Sequence, residues 1–299
     1  MSSLTRPVLG RLISGVLLVF SALSFASEPE SSGRFADNDR LADFLLERIN
    51  ANPAYSLITD IDHARLAEEA GKDMPPARVL IWSDQEFDAS VLQLNPLAAI
   101  DLPLRILIAQ DQETQTTSVV ANSYEYFIQR HALPDQTDIR TRYEAAISAV
   151  TEGLPSGTFR WLPLQSVEEA GVIQLRSTFS FEETEKRLLD VIKAQSDTVI
   201  FEVLDFSQRT KSVGINIAPS KLILFGGPGP GGKAMASSPI LGLNAFCQKL
   251  LIREDTEGRV HIAFNDLLVI AEQQKTSPNL PLRVINKRIQ KTFSEALDL

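Results

Sequence analysis

The sequence predicts an α+β protein of two homologous repeats, each a small, mostly antiparallel sheet packed with helices, in a pseudo-two-fold arrangement. Three observations predict it. The chain matches itself at a constant offset of 143 residues, which sets Asp62 on Asp205, Gly71 on Gly214, Pro76 on Pro219 and Pro96 on Pro239. The apolar runs between these anchors superimpose without a gap, Val79–Trp82 on Leu222–Phe225 and Leu107-Ile108 on Leu250-Leu251. That regularity marks an internal duplication. Strand-like runs also interleave with helical ones and form tight pairs around polar turns, which favours α+β over a doubly wound parallel sheet. Homologous units in one chain can reproduce the self-complementary contact of a two-fold dimer. Sheets or terminal helices are therefore expected to meet across a shared apolar contact.

Taken in order, the chain opens with Arg6 and Arg11, an uncharged run from Leu12 to Ala26, and Ser24-Phe25-Ala26 as a small-residue cleavage site. This is the layout of a secretory signal peptide over residues 1–26. The run is short for a membrane span, so no transmembrane anchor is expected after cleavage. Residues 27–34 are polar and expected to be disordered. Leu41, Phe44, Leu45 and Ile49 form the stripe of an amphipathic helix behind an acidic start at Asp37–Asp39. Tyr55–Ile61 reads as a strand, Asp62 as a cap, His63–Ala70 as a short helix and Gly71 as its left-handed end. Arg78–Trp82 reads as a strand buried on both faces. Asn95-Pro96 is a helix-start signal, repeated as Ser238-Pro239 with the same expected capping. Leu104–Ala109 and Thr116–Ala121 are paired strands, followed by helices over Ser123–His131 and Ile139–Val150.

The first repeat spans 35–153. Gly153-Leu154-Pro155-Ser156-Gly157 is the best boundary, and 154–171 is read as a linker. The second repeat spans 172–299. It begins with the strand Val172–Thr178 and a capping box, Ser180 with Glu183, and ends in a helix carrying Ile285, Ile289 and Phe293. The first repeat has no clear counterpart of Val172–Thr178, so its sheet either lacks an edge or borrows one.

Bulk composition narrows the function. The 299 residues carry a net charge of −9, and losing Arg6 and Arg11 with no acid lowers it to −11. An acidic chain does not suit nucleic acid, which requires a concentrated basic face. One cysteine, Cys247, excludes an intrachain disulfide and reads as a buried small hydrophobe. His63, His131 and His261 show no ligand spacing, so no metal or other cofactor is expected. Gly227-Pro228-Gly229-Pro230-Gly231-Gly232-Lys233 fits the frame of a phosphate loop. Ala234 stands where a magnesium-binding hydroxyl belongs, and two prolines delete cradle amides. No nucleotide is expected there, and the stretch reads as a flexible strand-to-helix connection.

Ile61-Asp62-His63-Ala64, Met74–Trp82 and Asn95–Leu104 resemble domain of unknown function 302. The second copy resembles the same family through Leu224-Phe225-Gly226 and His261–Asp266. The resemblance implies a compact α+β unit with helices against a curved sheet, once per repeat, and implies no catalytic residues. Copy two departs by Phe206 for His63, by Asn244-Ala245-Phe246 for Asp101-Leu102-Pro103, and by the glycine stretch.

The function expected is therefore that of an exported periplasmic or secreted module, binding a small apolar or amphiphilic ligand or an envelope protein. The alternative is an enzyme, a hydrolase or isomerase, with an acid/base site in the first repeat. Its candidate residues are His63, Asp101 and Arg105, because His titrates near neutrality and a carboxylate with a guanidinium can hold a polar group. Side chains of these three around one cleft would favour the enzyme.

Overall fold

The computed structural model describes residues 33–162, 167 and 170–299. The leader expected over 1–26 and the polar residues 27–32 lie outside the described residues. Of the stretch 27–34, Gly33 and Arg34 are in place, and Arg34 donates to the Asp73 carboxylate at 2.5 Å.

In the first repeat α1 (Ala36–Ala51) buries the Leu41, Leu45 and Ile49 stripe. β1 (Tyr55–Asp62) then stops where Asp62 Oδ1 accepts the Arg65 amide at 2.9 Å and starts α2 (His63–Glu69). β2 (Ala77–Asp84) ends the same way: Asp84 accepts the Phe87 amide at 3.1 Å and starts α3 (Gln85–Leu94). Asn95 caps a 3-10 turn, Pro96–Asp101, by accepting the Leu97 amide at 2.9 Å. Each cap satisfies an amide that the first helical turn leaves without an intrahelical partner. β3 (Leu104–Gln110), β4 (Thr117–Asn122), α4 (Tyr124–Arg130), α5 (Thr137–Thr151) and β5 (Phe159–Leu162) complete the unit. The sheet order is β1-β2-β3-β4-β5, antiparallel except that β5 runs parallel to β4. The missing edge is thus borrowed, from inside the 154–171 segment.

The second repeat contains β6 (Val172–Arg176), α6 (Phe181–Lys193), β7 (Val199–Asp205), α7 (Phe206–Ser212), β8 (Ser220–Gly226) and α8 (Pro228–Met235). A 3-10 turn, Pro239–Gly242, leads to β9 (Gln248–Glu254), β10 (Val260–Asn265), α9 (Leu267–Gln273) and α10 (Leu280–Ala296). Its order is β6-β10-β9-β8-β7, fully antiparallel. Asp205 caps α7 through the Gln208 amide at 3.0 Å, repeating Asp62.

Two local readings change. The glycine stretch is not a flexible connection but the helix α8, with Pro228 in its first turn, where a proline's missing amide costs nothing. Its glycines serve packing: a Cβ on Gly232 would come within 2.5 Å of the Ala67 Cβ, so only a bare backbone lets α8 close on α2. Ser238, unlike Asn95, makes no side-chain cap.

The two repeats meet by exchange of equivalent elements, the mark of an isologous contact. α2 packs on α8, and the counterpart pair α3 and α7 packs likewise. The first 3-10 turn lies on β9, and the second lies on β3. Of the sheets or terminal helices expected to meet, the sheet edges touch through β1 and β7, whereas the terminal helices pack within their own repeats, α5 on α1, α3 and α4 and α10 on α6, α8 and α9. Short helices make the contact from both ends of each sheet: α2 follows β1 and α3 follows the antiparallel β2, as α7 and α8 follow β7 and β8 in the second repeat. The centre of the contact is polar rather than purely apolar.

Candidate functional site

That polar centre is the first candidate. Asp101 ends the first 3-10 turn with its side chain buried. One oxygen accepts from Lys249 Nζ at 2.8 Å. The other lies 2.6 Å from Arg130 Nε and 2.7 Å from His131 Nε2. Arg130 also donates to Asn265 Oδ1 at 2.5 Å, and Tyr126 donates to Gln273 Oε1 at 2.8 Å. Beside them Asn122 and Asn244 exchange two amide hydrogen bonds, each 2.9 Å. The cluster therefore draws on both repeats: β4, α4 and the 3-10 turn of the first, β9, β10 and α9 of the second.

Burial opposes the Asp101 charge, but Arg130, Lys249 and His131 outweigh it and hold the carboxyl well below the usual range. Burial, with Arg105 nearby, pulls Lys249 down to about 7. Burial lowers His131 despite Asp101, and raises Tyr126 to about 12 and the Cys247 thiol to about 12.

The three residues singled out by sequence are divided. Asp101 and Arg105 share the cluster, yet Arg105 does not hydrogen-bond Asp101: none of its three guanidinium nitrogens has a hydrogen-bond partner among the described residues. His63 lies apart, packed on Gly242 of the other repeat, where a Cβ would come within 3.1 Å of its Cδ2. Burial takes His63 down to about 4, so it is neutral at pH 7. The imidazole beside Asp101 is His131. Sequence reasoning missed Arg130, His131 and Lys249. A signal was available at the 143-residue offset: Asp101, Arg105, Arg130 and His131 of copy one become Asn244, Gln248, Gln273 and Gln274 in copy two.

The second candidate is on the surface. A groove of about 380 Å³ between α8 and α10 is lined by Pro230, Leu280, Pro281, Val284 and Ile285, with Lys72 and Lys233 beside it. Leu280 and Val284 remain 72% and 59% exposed, unusual for side chains of that size on one helix face. Among the described residues no group of three or more His, Cys, Asp or Glu could hold a metal ion, and no helix is long and apolar enough to cross a membrane.

A family model described as Domain of unknown function DUF302 matches residues 39–150 and again 173–298. The chain belongs to the DUF302 family. Each DUF302 match covers one sheet with its helices, except β5, which lies between the two matches. The chain is 28% identical over 133 residues, 44% of its length, to a protein named Fluoride-specific ion channel FluC 1 from Brucella suis biovar 1. A protein of the same name from Brucella abortus biovar 1 matches at the same identity and length. These matches cover 52% and 48% of the relatives, so the chain spans about half the length of the curated relatives it matches. A solved structure, an uncharacterized conserved DUF302 protein from Bacillus stearothermophilus, is 15% identical. That likeness has a TM-score of 0.36 and covers 43% of this chain and 96% of that one.

Proposed function

We propose that this DUF302 protein is an exported, non-enzymatic binding module of the cell envelope whose second repeat takes a small anionic amphiphile. The groove between α8 and α10 carries the reading. Its floor is apolar, its exposed Leu280 and Val284 would gain by burial, and Lys72 and Lys233 supply positive charge at its edge. An acyl chain with a carboxylate head matches that layout, since lysine stems can cover the chain while the ammonium groups meet the head. Lys72 comes from the first repeat, so the site uses the paired arrangement. The leader pattern over residues 1–26 supports export.

The acid/base alternative around His63 and Asp101 gains no support from the geometry, because the two side chains have different partners. Calorimetry with dodecanoate tests the binding reading. Saturable binding is expected, weakened tenfold or more by Val284→Glu and less by Lys233→Ala. Absence of dodecanoate binding, or binding indifferent to Val284→Glu, overturns it. Export is tested by N-terminal sequencing of the protein from cells, which is expected to begin at Ser27.

A further inference from the structure

The contact between the repeats buries more positive than negative charge. Arg105, Arg130 and Lys249 gather around a single carboxylate, Asp101. The side chains of Arg130 and Lys249 are fully inaccessible, and Arg105 is only 5% exposed. Arg130 is matched by Asp101 and Asn265, and Lys249 by Asp101. Arg105 is matched by nothing: Nε, Nη1 and Nη2 are all buried without an acceptor among the described residues. A guanidinium keeps its proton in proteins, so neutralisation does not relieve it as it can a lysine. A buried, unpaired ion is among the costliest arrangements a fold can hold. The neighbouring groups offer no second negative charge, because Tyr126 and Cys247 retain their protons at neutral pH.

We propose that the inter-repeat core binds a small monovalent anion of halide size on the Arg105 guanidinium, as the counter-charge this cluster lacks. Enclosure argues for a small ion over an organic acid. Desolvation argues for one charge over two, and for chloride or bromide over the more strongly hydrated fluoride or sulfate. The duplication adds a second, independent indication. At each position where copy one has Asp101, Arg105, Arg130 or His131, copy two has an amide. On the amide side Asn122 and Asn244 satisfy each other, whereas on the charged side all three Arg105 nitrogens lack an acceptor among the described residues. This site is separate from the α8–α10 groove and does not depend on it.

The test uses the full chain. Thermal unfolding at fixed ionic strength, with bromide replacing gluconate, is expected to raise Tm by about 5 °C at saturation. A crystal grown in bromide is expected to show an anomalous peak beside Arg105. Arg105→Gln, the residue that copy two carries at the equivalent place, is expected to abolish both. Asp101→Asn removes the competing carboxylate and is expected to tighten bromide at least tenfold, so the proposal remains testable if Arg105→Gln fails to fold. Equal Tm values in bromide and gluconate overturn the proposal. So does water without anomalous signal at Arg105, and so does a bromide response that survives Arg105→Gln.

Discussion

The α8–α10 groove and the groove that α5 forms with the ends of β1 and β2 use equivalent helix positions in the two repeats and carry different chemistry. Leu280, Pro281, Val284 and Ile285 of the second repeat fall where the first has Thr137, Asp138, Thr141 and Arg142. The first groove, about 710 Å³, is lined by those four with Tyr55, Asp84, Ala145 and Ala146, so its wall carries two carboxylates and a guanidinium. The inter-repeat core divides in the same way, ionisable on one side of the pseudo-two-fold and amide on the other. What the two copies share is what folds them: Asp62 and Asp205 as caps, the apolar central strands, and Asn122 with Asn265 at equivalent strand ends. What they do not share lies where a ligand or the other copy is met.

The largest test of that asymmetry is at the core. Asp101→Ala strands Arg130 and Lys249 without their carboxylate and is expected to cost about 3–5 kcal/mol in urea unfolding. Asn244→Ala, its counterpart, leaves one amide of the Asn122 pair unmatched and is expected to cost about 1–3 kcal/mol. Equal losses would mean that the charged half behaves as the amide half does.

Asp88 gives the next effect. It is buried on α3, where copy two has Gly231, and accepts from Ser83 Oγ at 2.5 Å, with Arg209 and Asp84 also nearby. Burial pushes its carboxyl up to about 7. The folded chain therefore holds a proton that the unfolded chain releases near 3.8, and stability from this group falls as pH rises from about 3.8 to 7. Asp88→Asn is expected to stabilise the protein by about 2–3 kcal/mol more at pH 8 than at pH 5. A gain that does not vary with pH would sink this account.

Smaller effects sharpen the packing and capping differences. Gly232→Ala forces a methyl against Ala67 and is expected to cost about 1–3 kcal/mol, since overpacking at a tight helix pair must shift backbone. A neutral result would show that α2 and α8 can part without loss. Asn95→Ala should cost about 1 kcal/mol, whereas Ser238→Ala should stay within about 0.5 kcal/mol, because only Asn95 caps its turn. Similar values for the two would mean that the caps are equivalent in solution after all.

The sequence alone determined the duplication, the α+β class, most strand and helix positions and the aspartate caps. These depend on local chemistry: side-chain period, turn residues, and short acceptors placed next to free amides. Tertiary structure decided the rest. That β5 joins the first sheet, in parallel, depends on which edge was free, and residues 159–162 alone cannot say so. That the glycines of α8 (Pro228–Met235) serve helix packing depends on Ala67, which stands 2.5 Å from where a Cβ of Gly232 would be. The cluster shows the limit most clearly. Asp101 and Arg105 were legible as a pair four residues apart, but Lys249 is 148 residues from Asp101, and His131 rather than His63 stands beside it. Long-range ion pairs have no period and no local signature, because their partners are chosen by how two completed units dock.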